Sequence, residues 1–65
     1  MKYRQVLRII KEDGWLLKET KGSHEQYIHS VKKGKVTLPF HGDKDIPIRT
    51  LTSIFKQAGI KRPKA

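Results

Sequence analysis

Two stripes of apolar residues at helical spacing stand at opposite ends of this chain, and none lies between them. Tyr3, Val6, Leu7 and Ile10 recur at intervals of three and four, and so do Ile48, Leu51, Ile54, Phe55 and Ala58. Each set marks one face of a helix. The residues between them alternate with a period of two, which belongs to strands. In 65 residues two such stripes have few places to hide. The economical solution packs both against one face of a single small sheet.

Local signals divide the chain in the same way. The first helix is expected over roughly 2–12, with Lys2, Arg4, Arg8 and Lys11 facing outward. Asp13-Gly14 ends it, since glycine readily takes the left-handed terminal conformation. Residues 15–21 read as the first strand, with Trp15 and Leu17 on one face and Leu16 and Lys18 on the other. Trp15 follows the helix terminus directly, which favours a core anchor under the first helix over a platform for stacking bases. Lys21-Gly22-Ser23 is a turn. The second strand, 24–30, carries His24, Gln26 and Ile28 on one face and Tyr27 on the other. A second basic turn, 31–34, leads to a third strand, 35–40, in which Val36, Leu38 and Phe40 alternate. Pro39 cannot donate to a ladder, which places that strand at a sheet edge. A polar loop over 41–45 precedes the second helix, with Pro47 at its first position, Lys56 in its last turn and Gly59 as its stop. Residues 61–65 are expected to be a basic, frayed tail.

The expectation is therefore one α+β domain over residues 1–65: two layers in the order α-β-β-β-α, a three-stranded antiparallel sheet with both helices on one face. That order is the one used by double-stranded-RNA-binding domains, an analogy of fold that does not by itself establish function.

Charge narrows the partner. Fifteen Lys and Arg against six Asp and Glu give a formal +9 and a pI near 10.2. That balance predicts a polyanion, most often nucleic acid. An acidic protein or an anionic membrane surface would satisfy the same charge. A membrane binder would need a helix whose apolar face is free for lipid, whereas both stripes here are required by the core. No apolar run approaches the ~18 residues of a membrane span, and the start of the chain lacks the apolar region of a signal peptide. The chain has no cysteine, which removes disulfides and thiolate metal sites and suits a reducing cytoplasm. A domain this small has no room for a deep cofactor cavity, so no cofactor is expected.

One turn carries more than a turn requires. Lys21-Gly22-Ser23-His24 supplies the glycine and small hydroxyl residue that a tight turn uses. The histidine at its exit has no such purpose. On residue type alone His24 is either an ordinary surface histidine or a group that does chemistry on RNA.

The motifs as a set resemble the HicA family of toxin ribonucleases. The similarity is carried by Gly14-Trp15, by Lys21-Gly22-Ser23-His24, by Val36-Thr37-Leu38-Pro39, and by Lys44-Asp45-Ile46-Pro47-Ile48-Arg49-Thr50-Leu51 followed by Ile54-Phe55-Lys56-Gln57-Ala58-Gly59-Ile60. It runs over roughly residues 2–60. The resemblance implies a double-stranded-RNA-binding-like fold, cleavage of mRNA that arrests translation, and a cognate HicB-type antitoxin that blocks the toxin. The family's catalytic histidine follows Gly-Ser, which maps onto His24, and its glycine onto Gly22. The third-strand exit departs from the pattern. It reads Pro39-Phe40-His41, where many relatives carry histidine nearer the proline.

RNA cleavage without a metal needs a base for the 2′-hydroxyl, an acid for the leaving 5′-oxygen, and cations for the phosphorane charge. Histidine suits either proton transfer. His24 is the candidate, with His41 or Lys21 as the possible second acid/base group. Lys21, Gly22, Ser23, Lys18 and Lys35 are the candidate RNA contacts, joined by Lys32 and Lys33. Ser23 serves the turn rather than acting as a nucleophile, which would need a paired base. Arg4, Arg8 and Lys11 read as a solvated helix face, and His29 as a surface histidine. No metal site is expected: His24 and His29 lie five apart on a strand and point to opposite faces, and Asp43 and Asp45 are loop residues beside Lys44. Two further functions fit the charge, a non-catalytic double-stranded-RNA-binding module and a basic ribosome-associated scaffold. Only cleavage needs His24.

Overall fold

The computed structural model describes residues 1–40, 42 and 44–61. Helix α1 (Tyr3–Glu12) is followed by strands β1 (Trp15–Lys21), β2 (His24–His29) and β3 (Val36–Pro39), and then by helix α2 (Ile48–Ala58). The sheet is antiparallel in the order β1-β2-β3, so β2 is central and both neighbours are edges. This is the α-β-β-β-α layout expected from the two stripes, with β3 and its Pro39 at an edge.

The helices begin and end where local chemistry allows. The Lys2 backbone N–H donates to the Gln5 side chain at 2.8 Å, which satisfies one orphan donor at the start of α1. Pro47 stands just before α2, one position earlier than expected, and its carbonyl accepts from the Leu51 N–H at 2.9 Å. At the far end Gly59 takes φ +65 and the Ile60 N–H reaches back to the Phe55 carbonyl at 3.0 Å, a glycine-dependent helix stop.

One core holds the layers together. Val6 and Ile10 of α1, Leu51, Ile54, Phe55 and Ala58 of α2, and Trp15, Tyr27, Val36 and Leu38 of the sheet are all buried in one cluster with Tyr3 and Ile46. The inner face of the sheet is thus set by Trp15, Tyr27, Val36 and Leu38, and the opposite face is bare. The loop before α2 is pinned to the start of the chain, since the Ile46 N–H donates to the Met1 carbonyl at 2.9 Å.

Leu17 shares the inner face with Trp15 as expected, opposite Tyr27, and is 51% exposed because β1 is an edge strand. Three expectations need correction. Leu7 is only partly buried at the flank of the core. Ile48 is 59% exposed, as the first turn of α2 projects past the sheet. Strand β3 is shorter than 35–40: Phe40 leaves the ladder after its N–H has bonded the Ser23 carbonyl at 2.7 Å, and its ring is 52% exposed rather than core. Among the described residues no helix is long and apolar enough to cross a membrane.

Candidate active site at the hairpin tip

Strands β1 and β2 are joined by two residues, Gly22 and Ser23, between the paired Lys21 and His24. Gly22 has φ +58 and no described non-glycine residue has positive φ, so the positive angle falls on the first loop position alone. That is the pattern of a type II′ hairpin, whose twist matches that of the strands it joins. A Cβ built at Gly22 meets nothing within 4 Å. The glycine is therefore required by its backbone angle, and the space over it is open to an incoming group.

His24 opens β2 at the centre of the sheet, paired with Lys21 on one side and Pro39 on the other. Alternation with the buried Tyr27 puts it on the bare face, where it is exposed. No described residue hydrogen-bonds its ring. Directly opposed residues bring their Cβ atoms to about 5 Å, so Lys21 flanks His24 on the same face. The Lys21 ammonium lies 3.8 Å from the Glu19 carboxylate, a surface pair that leaves it free to reorient.

The other candidate contacts are spread along the sheet. Lys18 is the extra residue of a bulge: Leu17 pairs with Tyr27 and Glu19 with Gln26, leaving Lys18 without a cross-strand partner. A lysine at a bulge also blunts an edge strand against unwanted pairing. Lys35 precedes β3 at the end away from the tip. The register, with His24 opposite Pro39 and Tyr27 opposite Val36, puts it level with Ile28, about 13 Å along the strand from His24. The ammonium groups of Lys18 and Lys35 have no partner among the described residues. Lys21, Gly22, Ser23 and His24 come together, while Lys18 and Lys35 stand further along the sheet. His41 lies outside the described residues, as does Asp43.

Two expectations change at the opposite end of the sheet. His29 is no surface histidine. Its side chain is only 10% exposed and packs edge-on against Trp15, ring centroids 5.1 Å apart. Its Nε2 donates to the Asp13 carbonyl at 2.6 Å, and its Nδ1 accepts from the backbone N–H groups of Val31 and Lys32, both at 3.0 Å. Both ring nitrogens are consumed in closing the loop, with Nδ1 as the acceptor and Nε2 as the donor. Lys32 is half-buried and likewise engaged within the fold. Its ammonium donates to Asp13 Oδ2 at 2.6 Å and to the Ala58 carbonyl at 2.9 Å, tying the second turn to the ends of both helices. The hydrogen bond from Lys32 holds the Asp13 carboxyl below the usual carboxylate range.

Glu25 is a candidate that sequence reasoning passed over. It faces inward beside Tyr27, and its Oε1 accepts from the hydroxyls of both Tyr3 and Tyr27, the latter at 3.1 Å. Burial first, and then the Glu25 charge, push the Tyr27 hydroxyl up to about 12; burial and the bond to Glu25 also raise Tyr3. The signal was present in the alternation. A glutamate on the core face of a strand has to be bonded.

Among curated proteins none matches the chain. A family model described as "HicA toxin of bacterial toxin-antitoxin" matches residues 3–60, from the first residue of α1 to just beyond the glycine stop of α2. The match takes in the Gly14-Trp15 corner, the hairpin tip and the whole sheet, and the chain belongs to the HicA toxin family of bacterial toxin–antitoxin systems.

Proposed function

We propose that this toxin is an endoribonuclease that cuts mRNA at the hairpin tip, with His24 as the proton-transfer group, and so inhibits translation. The observation that carries the reading is an exposed histidine whose ring makes no hydrogen bond to any described residue, beside an open glycine turn and a lysine. His24 takes the proton of a 2′-hydroxyl as its oxygen attacks the adjacent phosphorus. The P–O5′ bond breaks, leaving a 2′,3′-cyclic phosphate and a 5′-hydroxyl. The leaving oxygen takes a proton from a second donor, for which Lys21, water and His41 are the candidates. The Lys21 charge and the Gly22 and Ser23 backbone N–H groups stabilise the developing phosphorane charge. One positioned proton-transfer group supplies ~10²–10⁴ in rate. The +9 chain draws RNA in, and Lys18 and Lys35 hold neighbouring phosphates.

The same features suit a HicB-type antitoxin. A toxin this basic associates quickly with an acidic partner, and a protein seated on the bare face would cover His24 along with the exposed Leu16 and Ile28.

The test is cleavage of a long mRNA in excess EDTA by wild type and His24→Ala, with RNA binding measured alongside. Wild type is expected to cut, and the variant to bind without cutting. Cleavage by wild type only after Mg²⁺ is restored would remove the metal-free mechanism. Equal cleavage by both would remove His24. Binding without cleavage by either would leave a non-catalytic double-stranded-RNA-binding module.

A further inference from the structure

Behind the hairpin tip, on the inner side of the sheet, lies an open groove of about 400 Å³ lined by Thr20, Gly22, Ser23, Glu25 and Phe40. Its volume is within the ~300–1,000 Å³ of sites that hold small organic groups. One wall is the half-exposed Phe40 ring. Tyr3 supports that ring, with centroids 5.1 Å apart and planes tilted by 59°. The bond from the Phe40 N–H to the Ser23 carbonyl at 2.7 Å fixes its backbone against the turn. A braced, half-exposed aromatic ring beside a polar floor suits the flat face of a nucleobase.

The floor of the groove argues for a base and against a phosphate. Glu25 brings a carboxylate into the groove of a strongly basic chain, where it repels the RNA backbone. Its Oε1 is occupied by the tyrosine hydroxyls, while its Oε2 makes no hydrogen bond among the described residues. A carboxylate oxygen only accepts. Guanine offers two adjacent donors on one edge, N1–H and N2–H₂. Uracil offers a single N–H between two carbonyl oxygens that a carboxylate repels. The groove also adjoins the chemistry. Phe40 follows Pro39, the cross-strand partner of His24, so the groove and the His24 imidazole flank the same turn from its two sides.

We propose that this groove is the nucleobase pocket that sets the cleavage-site preference, with Phe40 stacking the base and Glu25 selecting guanine next to the scissile phosphate. The proposal rests on the RNA-cleaving reading for its consequence but not for its binding test.

That test uses non-cleavable 2′-O-methyl dinucleotides containing guanine or uracil, titrated into the full chain and followed through the backbone amide signals of Thr20, Ser23 and Phe40. Guanine is expected to shift all three and to bind at least tenfold tighter than uracil, in line with the selectivity of a polar site for a matched donor. Glu25→Gln keeps an oxygen for the two tyrosines and presents an N–H₂ to the groove, so it should erase the guanine preference without lowering the melting temperature. Phe40→Ala should weaken both dinucleotides about tenfold, the loss of one stacked base. Shifts confined to residues elsewhere, equal binding of the two bases, or a guanine preference that survives Glu25→Gln would each overturn the proposal. Sequencing the cut ends of a mixed RNA pool separates it from the activity itself. Guanine-selective binding with no cutting refutes the ribonuclease reading and leaves the pocket. Cutting whose site preference is indifferent to Glu25→Gln refutes the pocket and leaves the ribonuclease.

Discussion

His24 opens strand β2 and His29 closes it, five residues apart on opposite faces of the sheet. His29 is almost wholly enclosed, and each of its ring nitrogens is bonded to backbone. His24 stands in the open with no described partner for either nitrogen. An imidazole committed to three backbone groups cannot accept a proton without losing acceptor bonds. An uncommitted one can take a proton and return it. The corner around Gly14, Trp15, His29 and Lys32 is therefore tied together by internal bonds, and the tip leaves the His24 ring without a described partner.

The sharpest way to break the comparison is to damage the rigid corner. Trp15 is fully buried, and its Nε1 donates to Asp13 Oδ2 at 3.1 Å. Trp15→Ala should cost about 3–5 kcal/mol. That is most of the stability a domain of this size has, so circular dichroism should show an unfolded or barely folded chain. His24→Ala should leave the urea midpoint within about 0.5 kcal/mol of wild type, as for a surface site. If His24→Ala unfolds the protein instead, the tip is structural and the contrast fails.

Gly14→Ala is next in size. Gly14 has φ +107, and a Cβ there would sit 2.7 Å from the His29 Nε2. The added methyl meets both an unfavourable backbone angle and a ring held by three hydrogen bonds, so a loss of ~1–3 kcal/mol is expected in a urea titration. Gly22→Ala meets only the angle, because nothing lies within 4 Å. It should destabilise less, and any fall in RNA cleavage beyond that would come from crowding of the open side of the turn. Equal losses at the two glycines would mean that the His29 ring yields.

How much of this could be read from residues alone follows the same division. Periodicity and turn chemistry are local, and they located both helices, all three strands, the Gly59 stop and the edge position of β3. Trp15 as a core anchor followed from its place after a helix terminus. Solvent reach across a sheet edge is not local: the exposure of Leu17 and Ile48 depends on where the neighbouring layer stops. The enclosure of His29 is not legible in the sequence because its partners, Asp13 and the second turn, are brought to it only by folding. The tie made by Lys32 is hidden for the same reason, since the helix ends it joins are far apart in the chain. The tip is the reverse case. The Lys21-Gly22-Ser23-His24 motif was legible because all its members are consecutive. Lys18 and Lys35 share only its charge, and the bulge and the register alone show how far along the sheet they stand.

Acid and alkali should loosen different parts of the structure. The Asp13 carboxyl is held below its ordinary value by the Lys32 hydrogen bond. Its folded value is lowered, so the stability it contributes is present above the unfolded value near 3.8 and is lost as pH falls through the folded one. Amide exchange at Val31 and Lys32 should quicken in that range before the sheet opens. The Tyr27 hydroxyl is raised to about 12 and Tyr3 is raised as well. Their contribution is present below the unfolded value of 10.0 and is lost as pH rises toward the folded one. Tyrosinate absorbance should therefore appear late and together with unfolding. A simple titration near 10 with the fold intact would show that the two hydroxyls are not held by Glu25.

The smallest effect separates two lysines of equal charge. If all basic residues acted alike on RNA, removing either would flatten the salt dependence of binding by the same amount. Lys32 spends its ammonium on Asp13 and the Ala58 carbonyl, whereas Lys21 lies at the tip with one weak surface partner. Lys21→Met should reduce the slope of log K against log salt by ~0.7, the share of one phosphate on a single strand. Lys32→Met should leave that slope unchanged and instead lower stability by ~1 kcal/mol or somewhat more, the loss of hydrogen bonds from a charged donor. A shift of the slope by both variants would mean that the Lys32 tie opens when RNA binds, and that the rigid corner is itself part of the RNA-binding surface.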